Sequence, residues 1–200
     1  METIRLNNGV EMPQMGYGVY QVSPSECERC VSDALRTGYR LIDTAQAYHN
    51  EEGVGNAVRK SGIDRRDIFL VSKIWISNYG YKKAKRSIDE SLNRLQTDYI
   101  DLMLLHQPFC DRYGAYQALE EAYKEGKLRA IGVSNFYPDH FIDLASNVEI
   151  IPELDLPGHS RNFARVHPEI LCDYTPDLRP TAGYDYRSVW CASREENYRL

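Results

Sequence analysis

The 200-residue chain has no apolar run approaching the length of a membrane span. Nor does it carry a block of lysine and arginine of the kind that tracks a phosphate backbone. Its net charge of −5 is spread over interspersed acidic and basic residues, so neither nucleic acid nor a membrane is expected as a partner. Met1 to Arg5 lack the basic then apolar layout of a secretion signal, and a cytoplasmic protein is expected. No Gly-x-Gly-x-x-Gly follows an early strand pattern, which disfavours a Rossmann dinucleotide fold. There is no internal repeat, low-complexity tract or Gly/Ser linker. Five cysteines, an odd number at irregular spacing, do not form a disulfide framework. Cys27-x-x-Cys30 has no second ligand pair at metal spacing, so both are read as core residues on one helix face and no metal site is expected.

What is present is an alternation. Ser23-Pro24-Ser25-Glu26 carries a capping serine, a first-turn proline and a glutamate placed for a capping box. Cys27, Cys30, Val31, Ala34 and Leu35 then recur at helical spacing until Gly38. Tyr39 to Asp43 reads as a strand, Asn50 to Arg59 as a helix, Ile68 to Lys73 as a strand, and Ala84, Ile88, Leu92 and Leu95 as a helical stripe. Tyr99 to His106 is the next strand, Tyr113 to Lys124 a helix stopped by Gly126, Leu128 to Ser134 a strand and Phe136 to Ser146 a helix. Strands and helices alternating through short loops predict a parallel sheet with right-handed crossovers, in an α/β fold of the (β/α)8 type.

Four polar residues fall at or just past the ends of apolar runs: Asp43, Tyr48, Lys73 and His106. In a parallel barrel the strand ends converge on one rim, which turns distant residues into neighbours. A tyrosine giving up a proton near neutral pH needs its pKa lowered from about 10, and an ammonium nearby does this by favouring the phenolate. Lys73 can supply that charge, with Asp43 holding it as an ion pair. A neutral His106 can donate a hydrogen bond that orients and polarises a carbonyl oxygen.

The chain resembles an aldo-keto reductase over about its first 150 residues. The motifs are Leu41-Ile42-Asp43-Thr44-Ala45-Gln46-Ala47-Tyr48, Asn50-Glu51-Glu52-Gly53-Val54-Gly55 and Val71-Ser72-Lys73-Ile74-Trp75. They continue with Ser91-Leu92-Asn93-Arg94-Leu95, Asp98-Tyr99-Ile100-Asp101-Leu102, Leu105-His106-Gln107-Pro108 and Gly132-Val133-Ser134-Asn135-Phe136. The resemblance implies that Tyr48 is a general acid, Lys73 and Asp43 its tuning pair, and His106 the orienting residue. Hydride would pass from NADPH, or NADH, to an aldehyde or ketone. Gly18, Val19 and Tyr20 resemble the family's early cofactor-contacting segment, to which Asp43 also belongs, while Ser134 and Asn135 resemble its carboxamide ligands. Trp75 and Gln107, with Tyr48 and His106, would line the pocket for a small carbonyl substrate. A monomer is expected from the family.

After Pro152 the pattern changes. Where the family has a glutamine against nicotinamide, spacing places Leu156, and the later strand and basic residues for the adenosine 2′-phosphate have no counterpart. Losing several charge-assisted hydrogen bonds, each worth roughly 1.5–3 kcal/mol, would weaken cofactor binding by orders of magnitude. Ile150 to Ser160, Val166 to Cys172 and the segment ending at Leu200 resemble a fragment of family 20 β-N-acetylhexosaminidases, in which His159 would sit at the sugar site. That family's paired Asp-Glu is missing, and glycoside cleavage needs such carboxyl chemistry. The expectation is a reductase-like partial barrel over 1–152 of five to six β/α units, followed by a hexosaminidase-like, loop-rich tail over 153–200 that is no independent domain. A chimeric or truncated chain is expected on this reading. Two further readings go with it: a non-catalytic fragment with an impaired cofactor site, and a carbohydrate-binding or glycosidase fragment. An unclosed sheet would also leave edges through which copies could associate.

Overall fold

The computed structural model describes residues 2–153 and 155–156. It opens with an antiparallel hairpin, β1 (Thr3–Arg5) and β2 (Glu11–Pro13). The alternation then follows: β3 (Gly16–Gly18), α1 (Pro24–Arg36), β4 (Leu41–Asp43), α2 (Glu51–Lys60), β5 (Phe69–Ile74), α3 (Tyr81–Leu95), β6 (Leu102–Leu105), α4 (Arg112–Lys124), β7 (Ile131–Ser134), α5 (Pro138–Ala145) and β8 (Asp155–Leu156). Strands β3 to β8 form one parallel sheet in strict sequence order, each joined to the next through a helix. An order that never reverses has no switch point, so it is the winding of a barrel rather than of a doubly wound sheet. Among the described residues β3 and β8 are its two edges.

Strand periodicity sorts the core into two layers, because successive side chains point to opposite faces. One set, Leu41, Phe69, Val71, Leu102, Leu104 and Ala130, packs with Leu6, Met12, Ile4 and Val10 of the hairpin region. This is the barrel interior, and the hairpin closes its N-terminal end. The other set, Ile42, Leu70, Ile74, Met103, Leu105, Ile131 and Val133, packs against Val31 and Leu35 of α1, Val54 and Ala57 of α2, Ile88 and Leu95 of α3, and Leu119 of α4.

Glycines mark two close approaches. A Cβ on Gly16 would stand 2.3 Å from Leu41 Cδ2, and one on Gly55 would meet the backbone carbonyls of Arg94 and Leu95 at 2.6 Å. The second lets α2 pack directly on the end of α3.

Several local expectations are corrected. The hairpin is not anticipated by the sequence pattern. The strand expected from Tyr99 contracts to Leu102–Leu105, preceded by a single bridge between Ile100 and Leu128. Ser23 does not cap through its hydroxyl: its carbonyl accepts the Glu26 and Cys27 amides at 3.0 Å, and its Oγ bonds the Glu26 carboxylate at 2.9 Å. Cys27 is fully buried as expected, while Cys30 is only half-buried. The loop expected between Pro157 and Gly183, and His159, lie outside the described residues.

Asp101 braces the lower sheet. It has no exposed surface and accepts Arg65 Nη2 at 2.7 Å, Arg129 Nη1 at 2.6 Å and the Leu70 amide at 2.9 Å. Replacing it with alanine strands two guanidinium groups, each partly solvated. Asp101→Ala should therefore lower unfolding stability by about 3 kcal/mol in chemical denaturation. A loss under about 1 kcal/mol would mean that water replaces the carboxylate without penalty.

Candidate active site

The inward column that carries the barrel interior also carries the polar residues. In β5 the sequence Phe69, Val71, Lys73 runs along one face, in β4 Leu41 and Asp43, and in β7 Gly132 and Ser134, with Ala130 one residue before the strand. His106 follows Leu102 and Leu104 one step past β6. Each column starts apolar at the strand's N-terminal end and turns polar at its C-terminal end. Parallel register then gathers the polar ends on one rim.

Lys73 is 4% exposed. Its Nζ forms an ion pair with Asp43 Oδ1 and donates to the Thr44 carbonyl at 3.0 Å. Tyr48 ends a 3-10 turn, Gln46–Tyr48, and its ring centroid lies 5.3 Å from Lys73 Nζ. The His106 ring lies edge-on to Tyr48 at 5.8 Å and to Trp75 at 5.1 Å. Tyr20, nearly half-exposed, packs on Tyr48 at 5.1 Å. Asp43, Tyr48, Lys73, His106, Trp75 and Tyr20 thus form one cluster.

The electrostatics correct one expectation. The Tyr48 phenol is raised above its ordinary value of 10.0, first by burial, then by the Asp43 carboxylate and then by Tyr20. The reason is geometric: the Lys73 ammonium is paired with Asp43, so its field at the phenol is offset and desolvation prevails. Tyr48 is a phenol holding its proton at neutral pH. His106 is lowered from 6.5 to about 4, first by burial and then by Lys73, so its ring is neutral as expected. Its Nδ1 is buried without a hydrogen-bond partner among the described residues.

The remaining expected residues fall on the same rim with differing exposure. Gly18 is in register with Asp43, and a Cβ there would stand 3.8 Å from Asp43 Oδ2, so the glycine leaves the space above that carboxylate open. Val19 is fully buried in the outer core, leaving Gly18 and Tyr20 as the exposed members of their segment. Ser134 is buried at the end of β7. Asn135 takes a left-handed backbone, φ 61°, and its Nδ2 donates to the His106 carbonyl at 2.9 Å and to Ser134 Oγ at 3.0 Å. Gln107 is half-buried next to His106. Leu156 pairs with Ser134 in the β7–β8 register.

Sequence reasoning missed the residues that hold the loops. Asn50, buried, accepts the Thr44 hydroxyl at 2.7 Å and donates to the carbonyls of Val19 at 3.0 Å and Val22 at 3.1 Å, fixing the segment that bears Tyr20. Glu51, also buried, accepts Ser72 Oγ at 2.6 Å and Arg94 Nε at 2.7 Å. Both stand in a motif quoted above, where two adjacent polar residues at a helix start were the available signal. A cavity of about 320 Å³ lies elsewhere, between α1 and β3, lined by Tyr17, Arg29, Cys30 and Tyr39 and by none of the cluster.

A family model described as the Aldo/keto reductase family matches residues 9–168. The chain belongs to the aldo/keto reductase family. Among its relatives, a glyoxal reductase of Bacillus subtilis (strain 168) is 47% identical over 153 residues, 76% of this chain and 55% of that protein. A morphine 6-dehydrogenase of Pseudomonas putida is 44% identical over 155 residues, 76% of this chain and 52% of that one. Among solved structures, an aldo/keto reductase from Brucella melitensis superposes with a TM-score of 0.76 at 43% identity, covering 78% of this chain and 62% of that one. A Bombyx mori aldo-keto reductase solved in complex with NADP gives 0.77 at 29% identity, covering 89% and 64%. The chain spans about half the length of these two sequence relatives. The family match also runs past Pro152 to residue 168, so it takes in the Glu153 to Ser160 run that was read as hexosaminidase-like. The comparisons lend no support to a break at Pro152.

The buried neutral His106 makes a pH prediction. The unfolded chain takes up this proton near 6.5 and the folded one only near 4. Between those values the unfolded state binds more protons, so stability is full above about 6.5 and declines as the pH falls towards 4, by up to roughly 3 kcal/mol from this group. Denaturation midpoints followed across that range should fall more steeply for the wild type than for His106→Gln. Equal slopes would mean that the ring is not held neutral by burial.

Proposed function

We propose that this chain carries the acid and carbonyl-orienting half of an NADPH-dependent reductase, or one using NADH, that converts aldehydes or ketones to alcohols. The observation that carries the reading is the cluster itself: a protonated phenol, a neutral imidazole and a lysine–carboxylate pair at the ends of neighbouring parallel strands. Family membership supports it, as do the activities named for the two relatives and the NADP complex of the Bombyx mori protein.

Tyr48 is the proton donor. Its raised pKa keeps the proton in place until an alkoxide, a much stronger base, forms beside it. His106 orients the substrate: in the tautomer that carries its proton on Nε2, the neutral ring donates to the carbonyl oxygen. Lys73, fixed by Asp43 and the Thr44 carbonyl, places positive charge near the phenolate that Tyr48 becomes. Trp75 and Gln107 line the carbonyl pocket. The nicotinamide cofactor supplies the hydride when bound. The residues fit such a group: Gly18 leaves room over Asp43, Tyr20 offers an exposed ring, and Ser134 and Asn135 offer polar groups on the same rim.

The likeness of the tail to a hexosaminidase, with a boundary near residue 152, weighs less because the family match extends to residue 168. A rise in melting temperature with N-acetylglucosamine would favour it. We take the protein to act as a monomer in a reducing, cytoplasmic setting. Free Cys27, Cys30 and Cys110 support that compartment, and β3 and β8, the edges of the sheet among the described residues, are where copies would associate.

The deciding experiment is the loss of reduced-nicotinamide absorbance with a reactive aldehyde. Tyr48→Phe, which keeps the ring and removes the proton, should reduce turnover by at least about a hundredfold, the usual scale of a general acid. Turnover equal to wild type would remove Tyr48 from the chemistry.

A further inference from the structure

Gln46 is two residues before Tyr48 and is 7% exposed. A side-chain amide has two donor and two acceptor positions, and all four are used. Its Oε1 accepts the Trp75 amide at 3.1 Å and Asn78 Nδ2 at 2.9 Å. Its Nε2 donates to the Ser87 carbonyl at 3.1 Å and to Ser91 Oγ at 3.0 Å, both on α3. One side chain therefore ties the Tyr48 turn, the loop after β5 and the body of α3 together.

The other end of that loop is tied as well. Tyr79 is buried, and its hydroxyl donates to the Gln107 carbonyl at 2.7 Å while accepting the Gln107 amide at 3.1 Å. Both backbone polar groups of Gln107, the residue after His106, are held by a single phenol oxygen. Trp75 and Gln107, the two residues assigned to the substrate wall, are thus fixed from behind by groups that face away from the rim. Fully satisfied buried networks of this kind lock one geometry.

We infer that Gln46 and Tyr79 are positioning residues that clamp the loop from Trp75 to Gly80 as a rigid wall of the carbonyl site, setting substrate affinity through Trp75 and Gln107. This rests on the reductase reading, and neither residue touches the reacting atoms. Because the hydrogen bonds of the clamp towards the site end on Trp75, Asn78 and Gln107, and none reaches the Tyr48 hydroxyl, loosening it weakens ground-state binding of the carbonyl more than the proton transfer. A rise in KM with kcat nearly unchanged is the signature of that loss.

The test uses two variants and two readouts. Gln46→Met keeps the volume and removes all four hydrogen bonds, and Tyr79→Phe removes one oxygen. In a Trp190→Phe background Trp75 is the sole tryptophan, so its quenching by acrylamide reports the wall directly. We expect quenching to increase in Gln46→Met and KM for an aldehyde to rise about tenfold, equivalent to roughly 1.4 kcal/mol, with kcat changed much less. Tyr79→Phe should raise KM by a smaller factor. Gln46→Glu, which retains both acceptor positions towards Trp75 and Asn78, should restore most of the wild-type KM and quenching. Wild-type quenching and KM in a folded Gln46→Met would overturn the inference, as would a fall in kcat at constant KM. If Gln46→Met does not fold, Tyr79→Phe decides, and an unchanged KM there sinks the clamp. If the wild-type chain oxidises no reduced nicotinamide, the reductase reading fails, and the quenching comparison alone decides the clamp.

Discussion

Everything at the rim depends on the two-residue repeat of parallel strands held in one register. The inward position of β5 passes from Phe69 through Val71 to Lys73, and Lys73 stands opposite Leu104 in the pairing with β6. One more inward step along β6 reaches His106, whose amide is bonded to the Ile74 carbonyl at 3.1 Å. A slip of one residue in β5 would drive Lys73 into the helix layer and Ile74 into the interior, and one in β6 would turn His106 away from the rim. The apolar packing of Leu41, Phe69 and Leu102 on the hairpin therefore also specifies where the charges stand. Stability at the closed end and chemistry at the open end are two consequences of one constraint.

Burial then decides the protonation states. Lys73 is nearly inaccessible and paired with Asp43, and after burial it is the second cause that lowers the basicity of His106. The same pairing prevents Lys73 from pulling the Tyr48 proton away, and desolvation keeps the phenol neutral. An unpaired lysine at this depth would act differently on both groups. The carboxylate of Asp43 is thus part of the acid's tuning through the charge it offsets, as well as through the position it gives the ammonium.

Much of this was legible in the sequence because it rests on periodicity. The helices from Pro24, Glu51, Tyr81, Arg112 and Pro138 and the strands that carry Asp43, Lys73, His106 and Ser134 follow from repeats of 3.6 and 2. The hairpin was not legible: three-residue strands around Asn7, Asn8 and Gly9 present too short an alternation to register. Gln46 and Tyr79 were invisible for a different reason. Their importance lies in hydrogen bonds to backbone groups distant in sequence, and backbone partners leave no pattern in side-chain types. The sign of the Tyr48 shift was misjudged because spacing tells which charges are near, not how completely one offsets another.

The segment after α5 is bound to the barrel through buried polar side chains. Glu153, read from its neighbours as part of a foreign turn, is 8% exposed and integrated into the barrel. Its amide donates to the Ile131 carbonyl at 2.9 Å, and its carboxylate accepts the Asn8 amide at 3.0 Å beneath the interior. Just before it, Glu120 accepts the amides of Glu149 and Ile150, both at 2.8 Å, and the Tyr116 hydroxyl donates to the Ile150 carbonyl at 3.0 Å. The side chains that engage these backbone groups, Tyr116, Glu120 and Glu153, are buried. The approach to β8 is thus held by the barrel on both sides of Pro152, by Tyr116 and Glu120 before it and by Glu153 after it.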